Sequence, residues 1–549
     1  MEMTTKLPVG AEELARAAET LRKYAAGRTA LDQRIQSDEH WWMLRCAPDA
    51  HAAKPGGGCD VQPPERRGET ESTSAWLFNT ILNKHADVMD NYPEPVVLPR
   101  ERSDEQSART LGAVLPVLLE HCGFERSYSD LAWEKLKHGT AVWGVFWDPT
   151  KQNGLGDVDV RALDVLNVYW EPGIEDIQRS KNLFVTELCD TEALEARWPE
   201  YAGRLGAERS GFPAAPAGTD VGEKSVVVDW YYRRRAPDGR TLLHYVKYCG
   251  DCLLYASEND PECAGRGYYD HGRYPLVFDR LFPEKGTPAG FGYIAVTKHP
   301  QRYIDALSAN ILESSMMATK KRFFVSTSTN VDPAQFADWS QPIVPVEGEL
   351  SDARIQEIRV DPVPGVCMEV LREKIEELKD TAGNRDVNSG QAGRGVTAAA
   401  AIVALQEAGS KTSRDLIGAS WRAHCEVMKL CVELMRQFYD VARSFRVTGP
   451  DGAAEYAAVG AAALRAQPAG FGADGTALYR APVFDLKIKA QKRNPFSRME
   501  LNERAKELYA LGFFNPARSE EALGALEMMD FEGIEAVRAR IRAAAAPAL

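Results

Sequence analysis

A proline-free run of helical character extends from Thr397 to about Arg443. At 1.5 Å per residue it would reach roughly 65–70 Å if unbroken, longer than ordinary globular helices, with Gly409 and Gly418 as its expected bending points. What precedes it is just as restrictive. A helix is expected over about 297–320, then some forty residues of strand and loop, then a second helix over about 366–382. The glycine-rich NRDVNSGQAGRG (384–395) leads into the long run. A small β-rich insert held between two helices projects from the main body and makes a natural docking platform. Helix–helix connectors usually run about 2–8 residues, so the twelve residues of 384–395 point to a functional loop.

The rest of the chain supplies the body. Residues 11–46 carry helical periodicity broken near Gly27, and 47–72 is a Pro-, Gly- and charge-rich loop. A helix over 74–92 is expected to end at Pro93 and Pro95, and helix resumes over about 103–138. Short alternating strands follow at 140–148, 156–164, 167–173 and 182–189. The stretches 225–235 and 241–257 flank the turn-like PDG at 237–239 and predict a hairpin or meander. A strand at 274–282 runs into the Gly/Pro loop 283–292. Strand-like pieces at 445–449 and 483–490 precede a helical C-terminus, about 496–545. The fold class is α+β and multi-domain, with a mostly antiparallel sheet. With 549 residues the chain is too long for one compact core.

The net charge is -13, which makes a poor general DNA-binding surface, because gripping a duplex means neutralising phosphates with Lys and Arg. If the chain handles DNA, it lets the polymer slide past. The start shows no basic segment followed by an apolar one, so no signal peptide is expected, and no stretch approaches the ~18 apolar residues of a membrane span. Ten scattered cysteines suit a reducing cytosol.

Catalytic signatures are thin. The nearest string to a phosphate loop, GSKT at 409–412, lacks the Gly-Lys step and lies inside a helix. GLGD at 154–157 leads into a strand and is expected to be a turn. HExxH and GxSxG are absent. Cys249 and Cys252 form a CxxC with Cys263 and His271 downstream, four soft ligands that would suit tetrahedral zinc; the same pair reads as a strand–turn–strand with half-buried thiols. Glu373, Glu376, Glu377 and Asp380 read as a solvated helix face with Lys374 and Lys379 interspersed. Arg385 and Arg394, among amides and glycines, would touch a phosphate backbone without reading sequence.

Four segments carry a resemblance. They are SAWLFNTILNKHADVMDNYPEP (74–95), GTAVWGVFWD with NGLGDVDVRALDVLNVYWEPGIEDIQRS (139–180), YDHGRYPLVFDRLFPEKGTPAGFGYI (269–294) and LKDTAGNRDVNSGQAGRGVTAAAAIVALQEAGSKTSRD (378–415). Through them the chain resembles the portal proteins of tailed bacteriophages, of the type found in phages and prophages of gut bacteria, over roughly 70–530. The resemblance implies a homo-oligomeric ring, usually of twelve subunits, at one capsid vertex, with no catalytic residues and no cofactor. It implies an N-terminal helical segment (1–70), an α/β wing (71–292), a two-helix stem (293–320 and 366–382) and a β-rich clip (321–365). A tunnel loop (383–396), a long helix (397–443), wing return strands (444–495) and a helical crown (496–549) complete the expectation.

By the same resemblance Asn384, Arg385, Asn388, Gln391 and Arg394 lie near DNA in the channel. Lys320, Lys321 and Arg322 offer phosphate contact or subunit pairing where the stem enters the clip. The implied partners are double-stranded DNA, the large terminase subunit, a head-completion or adaptor protein, and the major capsid and scaffold proteins, with no membrane. The implied place is the virion, and the bacterial host cytoplasm during assembly. Two alternatives stand beside it. One is a metal-dependent nucleic-acid enzyme using the Cys249/Cys252 cluster, and the other a helical scaffold or tail component.

Overall fold

The computed structural model describes residues 8–46, 74–205, 224–236, 239–319, 322–325, 355–358, 365–383, 411–448, 454–471, 477–492, 495–512, 519–529 and a few positions between 534 and 541. It is a mixed helix-and-sheet fold, as expected. The chain divides into two compact units, one of residues 1–40, 81–295 and 392–549, the other of 41–80 and 296–391.

Helices α1 (Ala11–Gly27) and α2 (Thr29–Cys46) are parted at Arg28. The α1 positions Leu14, Ala17, Leu21 and Tyr24 recur at helical spacing and are all buried. α3 (Trp76–Asp90) runs into β1 (Asn91–Pro99), and α4 (Glu105–His121) is separated from α5 (Phe124–His138) at Gly123. Next come β2 (Thr140–Asp148), β3 (Asp157–Leu163), β4 (Val168–Trp170), β5 (Asn182–Asp190), the short α6 (Thr191–Arg197), β6 (Lys224–Arg235), β7 (Thr241–Cys249), β8 (Cys252–Ala256) and β9 (Leu276–Arg280). The small pair β10 (Phe282–Pro283) and β11 (Gly290–Phe291) precedes α7 (Tyr293–Thr319), β12 (Arg322–Val325), β13 (Ile355–Ile358), α8 (Gly365–Ala382) and α9 (Lys411–Phe438). The chain closes with β14 (Arg443–Thr448), β15 (Ala454–Val459), α10 (Ala461–Leu464), β16 (Gln467–Phe471), β17 (Ala477–Arg480), β18 (Phe484–Lys492), α11 (Pro495–Ala510) and α12 (Ser519–Glu527).

The first unit holds an antiparallel five-stranded sheet, β4-β5-β6-β7-β8, and a three-stranded one, β3-β2-β9. α1 covers the larger sheet: Val9, Leu14, Leu21 and Tyr24 share one core cluster with Tyr169, Phe184, Val228, Tyr232 and Val246. Each large side chain buried there contributes roughly 1.5–3 kcal/mol. Arg28 then anchors the end of α1, donating to the carbonyls of Val165 and Val168 beside β4. α9 packs against β2, β9 and β18 with Val427, Met428, Cys431, Leu434 and Met435 buried.

Two expectations need correction. The segment after α3 is a strand in spite of Pro93 and Pro95: β1 pairs antiparallel with β18, Pro93 opposite Ala490 and Pro95 opposite Ile488. Proline donates no ladder hydrogen bond, so it fits a two-stranded ribbon, where one side of the strand needs no partner. The long helix also stops earlier than expected, at Phe438, and Arg443 already opens β14. Arg465 satisfies the last carbonyls, donating to Arg436 O (3.1 Å), Gln437 O (2.7 Å) and the Asp440 carboxylate (2.7 Å). Its expected first part, 397–410, lies outside the described residues.

Candidate channel and docking elements

The second unit contains the helix–insert–helix order singled out in the sequence. Its floor is a polar knot around Gln301 of α7, which is fully buried. Gln301 Oε1 accepts from Leu77 N at 2.9 Å, and its Nε2 donates to Ser74 O, Ser74 Oγ and Asp305 Oδ1 at 2.8–3.0 Å. Asp305 Oδ1 in turn accepts from Ser74 N and Ser74 Oγ, both at 3.1 Å. The free N–H groups at the start of α3 are thus met by side chains of α7, one turn apart on the same face. Lys379 of α8 lies over the Trp76 ring at 5.4 Å, and Lys374 over Tyr303 at 6.0 Å.

Leu312 and Met316 of α7, and Val366 and Met368 of α8, are large apolar side chains left 41–65% exposed. Leu312 and Met316 lie near the direction of Gln301 and Asp305, 11 residues further on, so the same face is buried at one end and exposed at the other. Past α7, β12 pairs antiparallel with β13, Arg322 opposite Ile358 and Val325 opposite Ile355. The pairing sets Val325 beside Ile355.

Of the residues chosen from the sequence, Asn384, Arg385, Asn388, Gln391 and Arg394 lie outside the described residues, as do Lys320 and Lys321. Arg322 is the first residue of β12. Glu373, Glu376, Glu377 and Asp380 are exposed, and Lys374–Glu377 (2.6 Å) and Lys379–Glu376 (3.2 Å) pair along the helix.

The soft-ligand candidates do not converge: among the described residues no group of three or more His, Cys, Asp or Glu is placed to hold a metal ion. Cys249 and Cys252 face each other across the β7–β8 turn, against Leu194, Leu205, Val227 and Leu254. Cys263 instead sits 3.9 Å from Tyr255 Oη. His271 stacks on Tyr269, and its Nδ1 accepts from Arg273 N at 3.0 Å. Burial, with Arg273 and Arg233 alongside, pushes His271 down to about 3, so it stays neutral.

One constellation escaped the sequence reading. Ser257 Oγ lies 3.2 Å from His244 Nδ1, and His244 Nε2 lies 3.5 Å from Glu258 Oε1. The order resembles a nucleophile–base–acid series, yet Ser257 is fully buried and its Oγ accepts from Tyr245 N at 2.9 Å. A serine so enclosed meets no substrate. Burial also lowers the His244 pKa. The spacing 244–257–258 carries no signal in sequence, because only the β7–β8 register brings these residues together.

No helix among the described residues is long and apolar enough to cross a membrane. Compared with known proteins, the chain matches a family model described as Phage P22-like portal protein over residues 81–260 and 283–548. No curated protein matches it.

Proposed function

The chain belongs to the phage P22-like portal protein family, whose role is that of a structural head-to-tail connector, and we propose that its subunits close into a dodecameric ring through which double-stranded DNA enters and leaves the capsid. The observation that carries the reading is the course of the family match, which runs through α7, the β12–β13 pair, α8 and α9.

In this reading residues 71–292 and 444–495 form the wing, and 293–320 with 366–382 the stem. Residues 321–365 form the clip, 383–396 the tunnel loop, the helix that ends at Phe438 the long helix, and 496–549 the crown. The clip meets the large terminase subunit during packaging and a head-completion protein afterwards, and the wing meets capsid and scaffold proteins. The exposed apolar positions Leu312, Val366 and Met368 support closure, since exposed apolar side chains are what a second copy would cover. A ring multiplies the net charge of -13, giving a wall that repels DNA, while Arg385 and Arg394 touch passing phosphates transiently.

Removing 384–395 tests it. Rings should still assemble, and DNA packaging by the complete motor should fail or slow severely. Unchanged packaging with that loop removed would favour a scaffold or tail component.

A further inference from the structure

The CxxC of the sequence is left over by the connector role, and its geometry differs from that of a metal site. Cys249 ends β7 and Cys252 begins β8, and the two are register partners in an antiparallel pair. Such partners project to the same side, with Cα atoms about 4.5–5.5 Å apart, inside the roughly 4.4–6.8 Å span that a disulfide bridges. The two-residue turn between them is held by Gly250 at φ 57°, a left-handed value suited to the first central position of a tight hairpin. Both side chains are buried, in one cluster with Val227 and Leu254. Cys189 packs against that cluster too, but it lies on β5, separated from β7 by β6. With strands about 4.8 Å apart, that offset of two strands puts it roughly 9–10 Å away, beyond bridging distance.

We propose that Cys249 and Cys252 are a disulfide-forming pair, a modification site on the β7–β8 hairpin that small-molecule disulfides oxidise. The thiolate of one cysteine attacks a sulfur of the oxidant, its S–S bond breaks, and one small thiol leaves. The second protein thiolate then attacks the mixed disulfide and releases the second small thiol. The two protein thiols lose two electrons and two protons, and both go to the two small thiols. Burial pushes the Cys252 thiol up, and the neighbouring Asp251 carboxylate adds to that, so the exchange is slow and proceeds through opening of the hairpin at the sheet edge. A reducing cytosol keeps the pair as thiols, and an oxidising medium outside cells favours the bridge.

The test is to hold the folded full chain in excess oxidised glutathione, with a parallel sample in urea below the unfolding transition. Free thiols are then alkylated and the peptides mapped by mass. The expected product is a peptide with Cys249 linked to Cys252, two hydrogens lighter and restored by dithiothreitol. It should persist in C189S and vanish in C252S. Recovery of both cysteines alkylated in both samples, separate glutathione adducts on each, or a link to Cys189 would each overturn the proposal.

Discussion

Lys135 Nζ stands 2.6 Å from Asp279 Oδ1 and the same distance from Ser420 Oγ, so α5, β9 and α9 meet at one buried charged point. Both partners of the pair are about 95% enclosed. Around it lie Trp143, Tyr128 and His424, with the His424 and Trp143 rings 5.1 Å apart. A buried pair of this kind is weak evidence of net stabilisation, because desolvating two charges costs about as much as their attraction returns. Its half-removal is another matter.

Asp279→Leu should destabilise the first unit by about 3–5 kcal/mol, since it leaves an ammonium uncompensated in the core. Lys135→Met combined with Asp279→Leu should cost far less than the sum of the single changes. Denaturant unfolding of the four proteins of the cycle measures this. Additive costs would mean that the two groups do not act as a pair.

Gly292, just before α7, lies against the end of α5: a Cβ there would stand 2.1 Å from the carbonyl oxygen of Lys137. Backbone cannot swing away as a flexible side chain does. Gly292→Ala should therefore cost about 1–3 kcal/mol or more, as overpacking does. Gly265→Ala, where a Cβ meets nothing within 4 Å, should change the melting temperature little. Equal effects from the two would refute the close approach.

Acid should weaken the first unit through two groups whose shifts act in the same direction. Burial raises the Glu39 pKa, but hydrogen bonds from His138 (2.9 Å) and Lys137 (2.8 Å) outweigh it and bring the carboxyl down to about 2. A carboxylate depressed in the fold adds stability above its unfolded pKa of 4.5, and that stability drains as pH falls through about 2. His271, held down to about 3, stays neutral in the fold where the unfolded chain takes up a proton below about 6.5. Its penalty grows from that pH downward. The melting temperature should thus decline steadily from pH 7 to pH 4, and His271→Gln should flatten the upper part of the decline. A level profile across that interval would contradict the assignment.

Much of the architecture was legible because its signals are local. The α7–insert–α8 order follows from helical periodicity on either side of strand-like text, and the β6–β7 hairpin from the PDG between alternating runs. The parting of α1 from α2 was marked by Gly27 beside Arg28. What escaped depends on distant partners. Nothing within residues 91–99 announces a strand, since Pro93 and Pro95 argue against one; only pairing with β18, almost 400 positions away, makes it so. The end of α9 is set by Arg465, a residue beyond the helix and another strand pair. The Ser257–His244–Glu258 series is likewise a product of strand register, and the knot at Gln301 joins α7 to a segment more than two hundred residues earlier. The expectation of a channel loop at 384–395 rests on composition and family resemblance alone, and those residues lie outside the described ones.

The most direct test of the connector reading is negative-stain electron microscopy of the purified chain, with mass photometry on the same sample. The account predicts rings with a central hole and a mass near twelve subunits, and Leu312→Asp combined with Met368→Asp should break them into smaller species. Monomers or dimers without rings at micromolar concentration, in the presence of scaffold protein as well as in its absence, would contradict it.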